Sequence, residues 1–158
     1  SNLIPIRLID KLINFRFIKH INLIRFDIFK IALNLIKNRP ILGWGATTFP
    51  LMYLAYGGSQ ESQHAHNISL EIAYNYGIPV SVLLTSLVTI IILQSFKLIF
   101  IDKTHSSSIN KAWFASTIVV GIYNFTDVTY YDGKLSLISW ILLAGLKSML
   151  DKSKERIS

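Results

Sequence analysis

Apolar residues recur in two ways along this chain. Up to about residue 76 they alternate with polar ones at helical spacing, and beyond it they run together. Residues 5–14 read as a short interfacial helix, because Arg7, Asp10, Lys11 and Asn14 share one face at i, i+3, i+4, i+7. Residues 22–38 read as a second helix, stopped by Arg39-Pro40. Turned through ~100° per residue, Asp27, Lys30, Asn34, Lys37 and Asn38 gather on one side, and Phe29, Ala32, Leu33 and Ile36 on the other. Arg25 falls in the middle of the apolar side, one turn from the expected helix start. The stretch 40–50 (PILGWGATTFP) places Gly43 and Gly45 around Trp44; lacking GxxxxGK[ST], it is no phosphate-cradling loop. Residues 51–63 read as a flexible linker of small and polar residues, followed by a helical run at 69–76.

The second half carries the continuous apolar runs. A spanning helix needs ~20 largely apolar residues. Between Glu71 and Lys97 lie 25 uncharged residues, with 79–96 the strongest spanning candidate. Gly77 is placed to end one helix and Pro79 to sit in the first turn of the next. Two shorter candidates follow, with 15 uncharged residues between Lys111 and Asp127 and 12 between Lys134 and Lys147. Each reaches spanning length if its flanking lysine snorkels. The competing reading is a set of buried helices in a soluble bundle.

Composition favours the membrane. Of 158 residues, 51% are apolar and 16% charged, against ~25% charged in ordinary globular chains. That excludes a disordered chain and argues against a water-soluble enzyme. Without cysteine there is no disulfide framework, no Cys-ligated zinc and no thiol nucleophile. The chain opens with Ser1 and shows no signal-peptide pattern, so it reads as an excerpt of a longer membrane protein.

The net charge of +7 is clustered. Lys97, Lys103 and Lys111 in one loop, and Lys147, Lys152, Lys154 and Arg156 in the tail, assign those segments to the cytoplasm. The loop 127–134 and everything before Pro79 then face the other side. Eight basic residues in the first 76 (Arg7, Lys11, Arg16, Lys19, Arg25, Lys30, Lys37 and Arg39) run against the positive-inside rule, from which long external segments are partly exempt. A basic external surface suits anionic headgroups or a phosphorylated substrate; a solvated amphipathic face explains most of the same residues.

Two features carry candidate chemistry. Burying the Arg25 guanidinium costs several kcal/mol unless an anion meets it; snorkelling or a structural carboxylate would serve equally. The cluster His64-Ala65-His66-Asn67 stands at the mouth of the run 69–76, where Asn67 is a good helix cap. Three readings stay open: a metal site with Glu61 or Glu71 as further ligand, a structural hydrogen-bonding pair, or a general base at His66. Trp44, Tyr53, Tyr56 and Tyr74 are of the kind that stack on sugars, though packing is their ordinary role.

The order of these elements resembles the C-terminal portion of the bacterial O-antigen ligase family, within the ligase and polymerase superfamily. The residues concerned are Arg25-Phe26-Asp27-Ile28-Phe29, then Asn38-Arg39-Pro40-Ile41-Leu42-Gly43-Trp44-Gly45 with Phe49, then His64-Ala65-His66-Asn67-Ile68-Ser69-Leu70 with Gly77. The resemblance implies an all-α, polytopic integral membrane protein of the bacterial inner membrane. On that basis 1–76 is a periplasmic, amphipathic-helical loop region carrying the active site. About three transmembrane helices follow within 77–150 (about 78–98, 110–127 and 134–149), and 151–158 is a cytoplasmic tail.

It also implies transfer of a glycan from an undecaprenyl-pyrophosphate carrier to a sugar hydroxyl of lipid A-core or another acceptor, with no metal, no cofactor and no nucleic-acid partner. His66 then corresponds to the base and Arg25 to the pyrophosphate-binding residue. His64, Asn67, Glu71 and Arg39 are further substrate-site candidates, and Asp127 and Asp132 match an acidic pair in the family's last external loop. Asn75 stands where many relatives carry glutamate. A polymerase of the same superfamily, a bicarbonate-transporter-like protein and a lipid-binding scaffold are the alternatives; the uncharged core of 79–96 offers no buried charge for transport.

Overall fold

A computed structural model describes residues 15–58, 62–103, 106–127 and 131–155, and the side chains of the first helix from Arg25 onward. Those residues are helical with connecting loops, and no strand occurs among them. The expected helix at 5–14 and the candidate ligand Glu61 lie outside the described residues.

Helix α1 spans Phe15–Asn38, longer at its start than the sequence pattern indicated. Its buried stripe is Ile28, Ala32, Leu35 and Ile36, spaced for one helical face. Leu33, expected on that face, is about half exposed, because it lies ~100° round from Ala32. Asp27, Lys30, Asn34, Lys37 and Asn38 are exposed as expected.

Residues 51–63 were expected to be linker, yet Phe49–Ala55 form a short helix, α2, with Pro50 in its first turn. Seven residues are too few to display a period, and the flanking glycines hide them. Phe49 and Tyr53, one turn apart, carry its buried face.

Helix α3, Ile68–Tyr76, begins at Asn67, whose side chain accepts the backbone N–H groups of Ser69 and Leu70 at 3.0 and 3.1 Å. At its other end the carbonyls of Ala73, Tyr74 and Asn75 accept from Gly77, Trp44 and Gly45, so the Trp44 loop closes helix groups that would otherwise stay unpaired. Gly77 has φ +92°, and a Cβ there would lie 1.9 Å from the Ile41 carbonyl oxygen. Only glycine fits. Ile78 N–H then donates to the Pro40 carbonyl at 2.7 Å, fixing the start of helix α4, Ile78–Phe96.

Helix α4 runs on into a π-helical turn, Lys97–Ile101. Helix α5 is Ser108–Thr126, capped by Ser107. Helix α6 is Gly133–Glu155, opened by Asp132, whose carboxylate accepts from Lys134 and Leu135 N–H. It therefore carries most of the expected tail as well.

Two helices, Ile78–Ile101 and Gly133–Glu155, are long and apolar enough to cross a membrane; α5 lies between them at nineteen residues. Most apolar side chains of the pair face outward, among them Leu83, Leu87, Leu93, Leu137 and Trp140. A soluble bundle would bury such residues.

The described residues form two cores. One joins α1, α2 and α3 through Ile28, Leu35, Phe49, Tyr53 and Tyr74; the other joins the π-helical turn after α4 to α5 and α6 through Ile99, Phe114 and Leu146, with Ile91 and Ile92 of α4 packed against it.

Candidate functional site

His64 and His66 sit in the turn before α3, against the loop that follows α5. Three contacts hold them. Ala65, between them, is fully buried, and its N–H donates to Glu71 Oε2 at 2.8 Å. Asn67 caps α3 and also donates from Nδ2 to the Phe125 carbonyl at 3.4 Å. His66 itself adopts φ +49°, a left-handed conformation that costs a non-glycine residue about 1–3 kcal/mol and persists only where its surroundings enforce it.

Because Ala65 points inward, its two neighbours project together. Their rings meet edge to face with centroids 4.4 Å apart. Asp127 lies in front of both: its Oδ1 is 3.3 Å from His66 Nδ1 and 3.8 Å from His64 Nε2. The second contact is beyond hydrogen-bond reach and the first is within it. With Nδ1–H donated to Asp127, the lone pair of His66 Nε2 is left for a substrate proton. The His66 pKa lies below the ordinary imidazole value; desolvation is the main cause, joined by the charges of His64 and Arg25 and opposed by the Asp127 hydrogen bond and charge. At neutral pH the ring is a neutral base.

Behind the histidines stands a buried network. Glu71, fully enclosed, accepts from Tyr131 Oη–H at 2.6 Å and Asn75 Nδ2 at 3.1 Å on Oε1, besides Ala65 N–H on Oε2. Asn75 also donates to Tyr131 Oη at 3.1 Å. Burial and the neighbouring Glu71 carboxylate push the Tyr131 pKa far above its usual range, so the phenol keeps its proton. The Tyr131 ring in turn stacks against His64, centroids 6.2 Å apart. Asn75, where a carboxylate was the family expectation, is a donor in this network.

The two arginines separate. Arg25 lies three and seven residues before Ile28 and Ala32, on the same stripe as the α1 core, yet it is exposed. It emerges ten residues into α1, and its charge is the smallest of the influences that lower the His66 pKa. No carboxylate pairs with it among the described residues. Arg39, fourteen residues further on and so about 21 Å along the helix, lies over Trp44, 4.4 Å from the ring centroid. The Trp44 indole donates to the Leu35 carbonyl at 2.7 Å, so the pair packs at the far end of α1. Tyr53 and Tyr74 are core residues, unavailable to stack on a sugar. Among the second group of candidates, His64, Asn67 and Glu71 gather around His66 and Arg39 does not.

Beneath the cluster a cavity of about 360 Å³ opens among α3, α4, α5 and α6. Its walls are apolar, including Ile72, Val88 and Leu143, and Ile68, Ser69, Asn124 and Phe125 line it next to Asn67 and Asp127.

Residues 11–85, just under half of the chain, match the family model described as O-antigen ligase. That is the family whose ordered motifs the segment resembles. No curated protein and no solved structure matches the chain. Arg25, Arg39, His64, His66, Asn67 and Glu71 all fall within the matched segment, whereas Asp127 and Tyr131 lie beyond it. The family match and the two long apolar helices both support an integral membrane protein.

Sequence reasoning named Glu61 and Glu71 as carboxylates near the histidines. Glu61 lies outside the described residues; among those described, the carboxylate that meets the histidines is Asp127, 61 residues from His66, while Glu71 is committed to the backbone, Asn75 and Tyr131. Tyr131 is not among the sequence candidates, because nothing local in the sequence ties it to Glu71.

Proposed function

We propose that this chain supplies part of the catalytic site of a glycan ligase of the bacterial inner membrane. The donor is a glycan on undecaprenyl pyrophosphate, and the acceptor is a sugar hydroxyl of lipid A-core or a related glycolipid. His66 Nε2 takes the proton of that hydroxyl as its oxygen attacks the anomeric carbon. The bond from that carbon to the pyrophosphate oxygen breaks, and the carrier leaves with the electron pair. Attack from the opposite face inverts the anomeric centre. Arg25 meets the pyrophosphate with bidentate bonds and stabilises the departing negative charge.

The observation that supports this reading is a neutral imidazole oriented by Asp127 whose pKa feels the charge of an exposed arginine, itself without a carboxylate partner among the described residues. Glu71 and Tyr131 position the histidine-bearing turn. The apolar cavity under the site suits the isoprenoid chain of the carrier, which would otherwise remain in lipid. On this reading the site faces the periplasm at the membrane surface, with α4, α5 and α6 all crossing the bilayer.

The test is complementation of a strain lacking its ligase by the full-length protein. His66→Ala is expected to reduce glycan attachment by about 10²–10⁴-fold at unchanged membrane abundance. Arg25→Ala should do so comparably, with partial recovery in Arg25→Lys. Undiminished attachment in His66→Ala removes the base, and in Arg25→Ala the pyrophosphate contact. Assays with purified lipid A-core and with glycan-carrier as acceptor separate ligase from polymerase.

A further inference from the structure

We infer that His64, His66 and Asp127 form a binding site for a divalent transition-metal ion of the zinc class, and that its occupancy shuts off transfer. One donor atom from each of the three lies within 4.8 Å of the others. Four-coordinate zinc holds its ligands at about 2.1 Å, which spaces neighbouring donors by about 3.4 Å. His66 Nδ1 and Asp127 Oδ1 already stand 3.3 Å apart, and His64 Nε2 is 3.8 Å from the same oxygen. Small side-chain rotations close the remainder. The backbone needs no change, because Ala65 N–H is pinned to Glu71 and both rings already project to one side. Two imidazoles and a carboxylate select zinc, copper or nickel over magnesium and calcium, which prefer all-oxygen sites. All three residues are half-buried, so an ion can reach them and keep a water as fourth ligand.

Inhibition follows from the tautomer; this half rests on His66 being the base proposed above. A neutral imidazole bound to metal through Nδ1 must carry its proton on Nε2. The lone pair that would accept the hydroxyl proton is then gone, and Asp127 is drawn from orienting His66 to ligating the ion. The same arrangement marks the metal as a visitor rather than a resident. Built zinc sites fix the outer nitrogen of each histidine with an acceptor, whereas His64 Nδ1 is buried with no hydrogen-bond partner among the described residues. An exchangeable ion is the expected consequence.

The experiment titrates the full-length, chelator-stripped protein in detergent with Co²⁺, whose visible absorption reports four-coordination, and then displaces it with Zn²⁺. One saturable ion per chain is expected, with Mg²⁺ unable to compete. Affinity should fall at least about tenfold in His64→Ala and, on a separate element, in Asp127→Asn. In parallel, Zn²⁺ should suppress wild-type transfer in proportion to occupancy, and EDTA should restore it. No saturable uptake, or uptake unchanged in both variants, overturns the site. Occupancy without inhibition overturns the switch, and loss of transfer on EDTA treatment would make the ion a required cofactor instead. If wild type shows no transfer under any condition, the ligase reading and the inhibition that rests on it fail, while the cobalt titration still decides whether the metal site exists.

Discussion

The two halves of this molecule handle similar apolar residues in opposite ways. In the unit of α1, α2 and α3, large side chains turn inward: Tyr53 and Tyr74 are wholly enclosed, and Phe49 is 1% exposed. In α4, α5 and α6 they turn outward, with Leu83 71% and Leu93 61% exposed. The first unit is held by burial against protein, the second by an apolar exterior suited to lipid. The candidate site belongs to neither alone. Its histidines come from the turn that leads into α3, and its aspartate and tyrosine come from the connection between α5 and α6. A polar cluster is sustained at that seam because each half supplies the partners that the other lacks.

Truncating a core residue tests that contrast most strongly. Tyr53→Ala should destabilise the detergent-solubilised protein by about 3–5 kcal/mol, whereas Leu83→Ala should change it by less than about 0.5 kcal/mol, both read from denaturant or thermal melts. Equal losses would mean that the outer faces of α4 to α6 are packed against protein.

The seam comes next. Glu71→Ala leaves Ala65 N–H without its acceptor and takes one acceptor from Tyr131 Oη–H and from Asn75 Nδ2, which keep their bond to each other, with an expected cost of about 2–4 kcal/mol. Tyr131→Phe should cost about 1 kcal/mol. If neither variant alters the melt, the two halves are not joined through this network.

A smaller effect of opposite sign is expected inside the first core. Tyr53 Oη is buried without a hydrogen-bond partner among the described residues. Tyr53→Phe should therefore leave stability unchanged or raise it by up to about 1 kcal/mol; a loss in the same melts would point to a bound partner for the hydroxyl.

The subtlest expectation is in the pH profile of transfer. His66 must be neutral to act as a base, and its pKa is held below the ordinary 6.5. Activity should thus persist below pH 6.5 and disappear as pH falls through the lowered value. Removing the Arg25 charge in Arg25→Gln relieves one cause of that lowering and moves the acid limb to higher pH. Asp127→Asn removes the opposing influence and moves it lower still. Limbs that coincide in all three proteins would assign the titration to another group.

Sequence alone settled what depends on neighbours along the chain. Asn67 caps the helix that follows it, Gly77 and Pro79 separate α3 from α4, and unbroken apolar runs mark the helices fit for a membrane. The family was legible too, because its motif is written in short ordered segments from Arg25 to Gly77. Less legible was anything decided by packing. The period of α1 left Leu33 on the wrong face, since a shift of a fraction of a turn depends on what the helix meets, and α2 was too short to reveal itself. The choice of carboxylate lay furthest beyond reach. Glu71 is near His66 in sequence, but one turn into α3 it points inward to the backbone; Asp127 arrives from the end of α5 because that helix packs beside α3. Residue types and local caps are one-dimensional information, whereas which donor faces which acceptor is fixed only when helices far apart in the chain are pressed together.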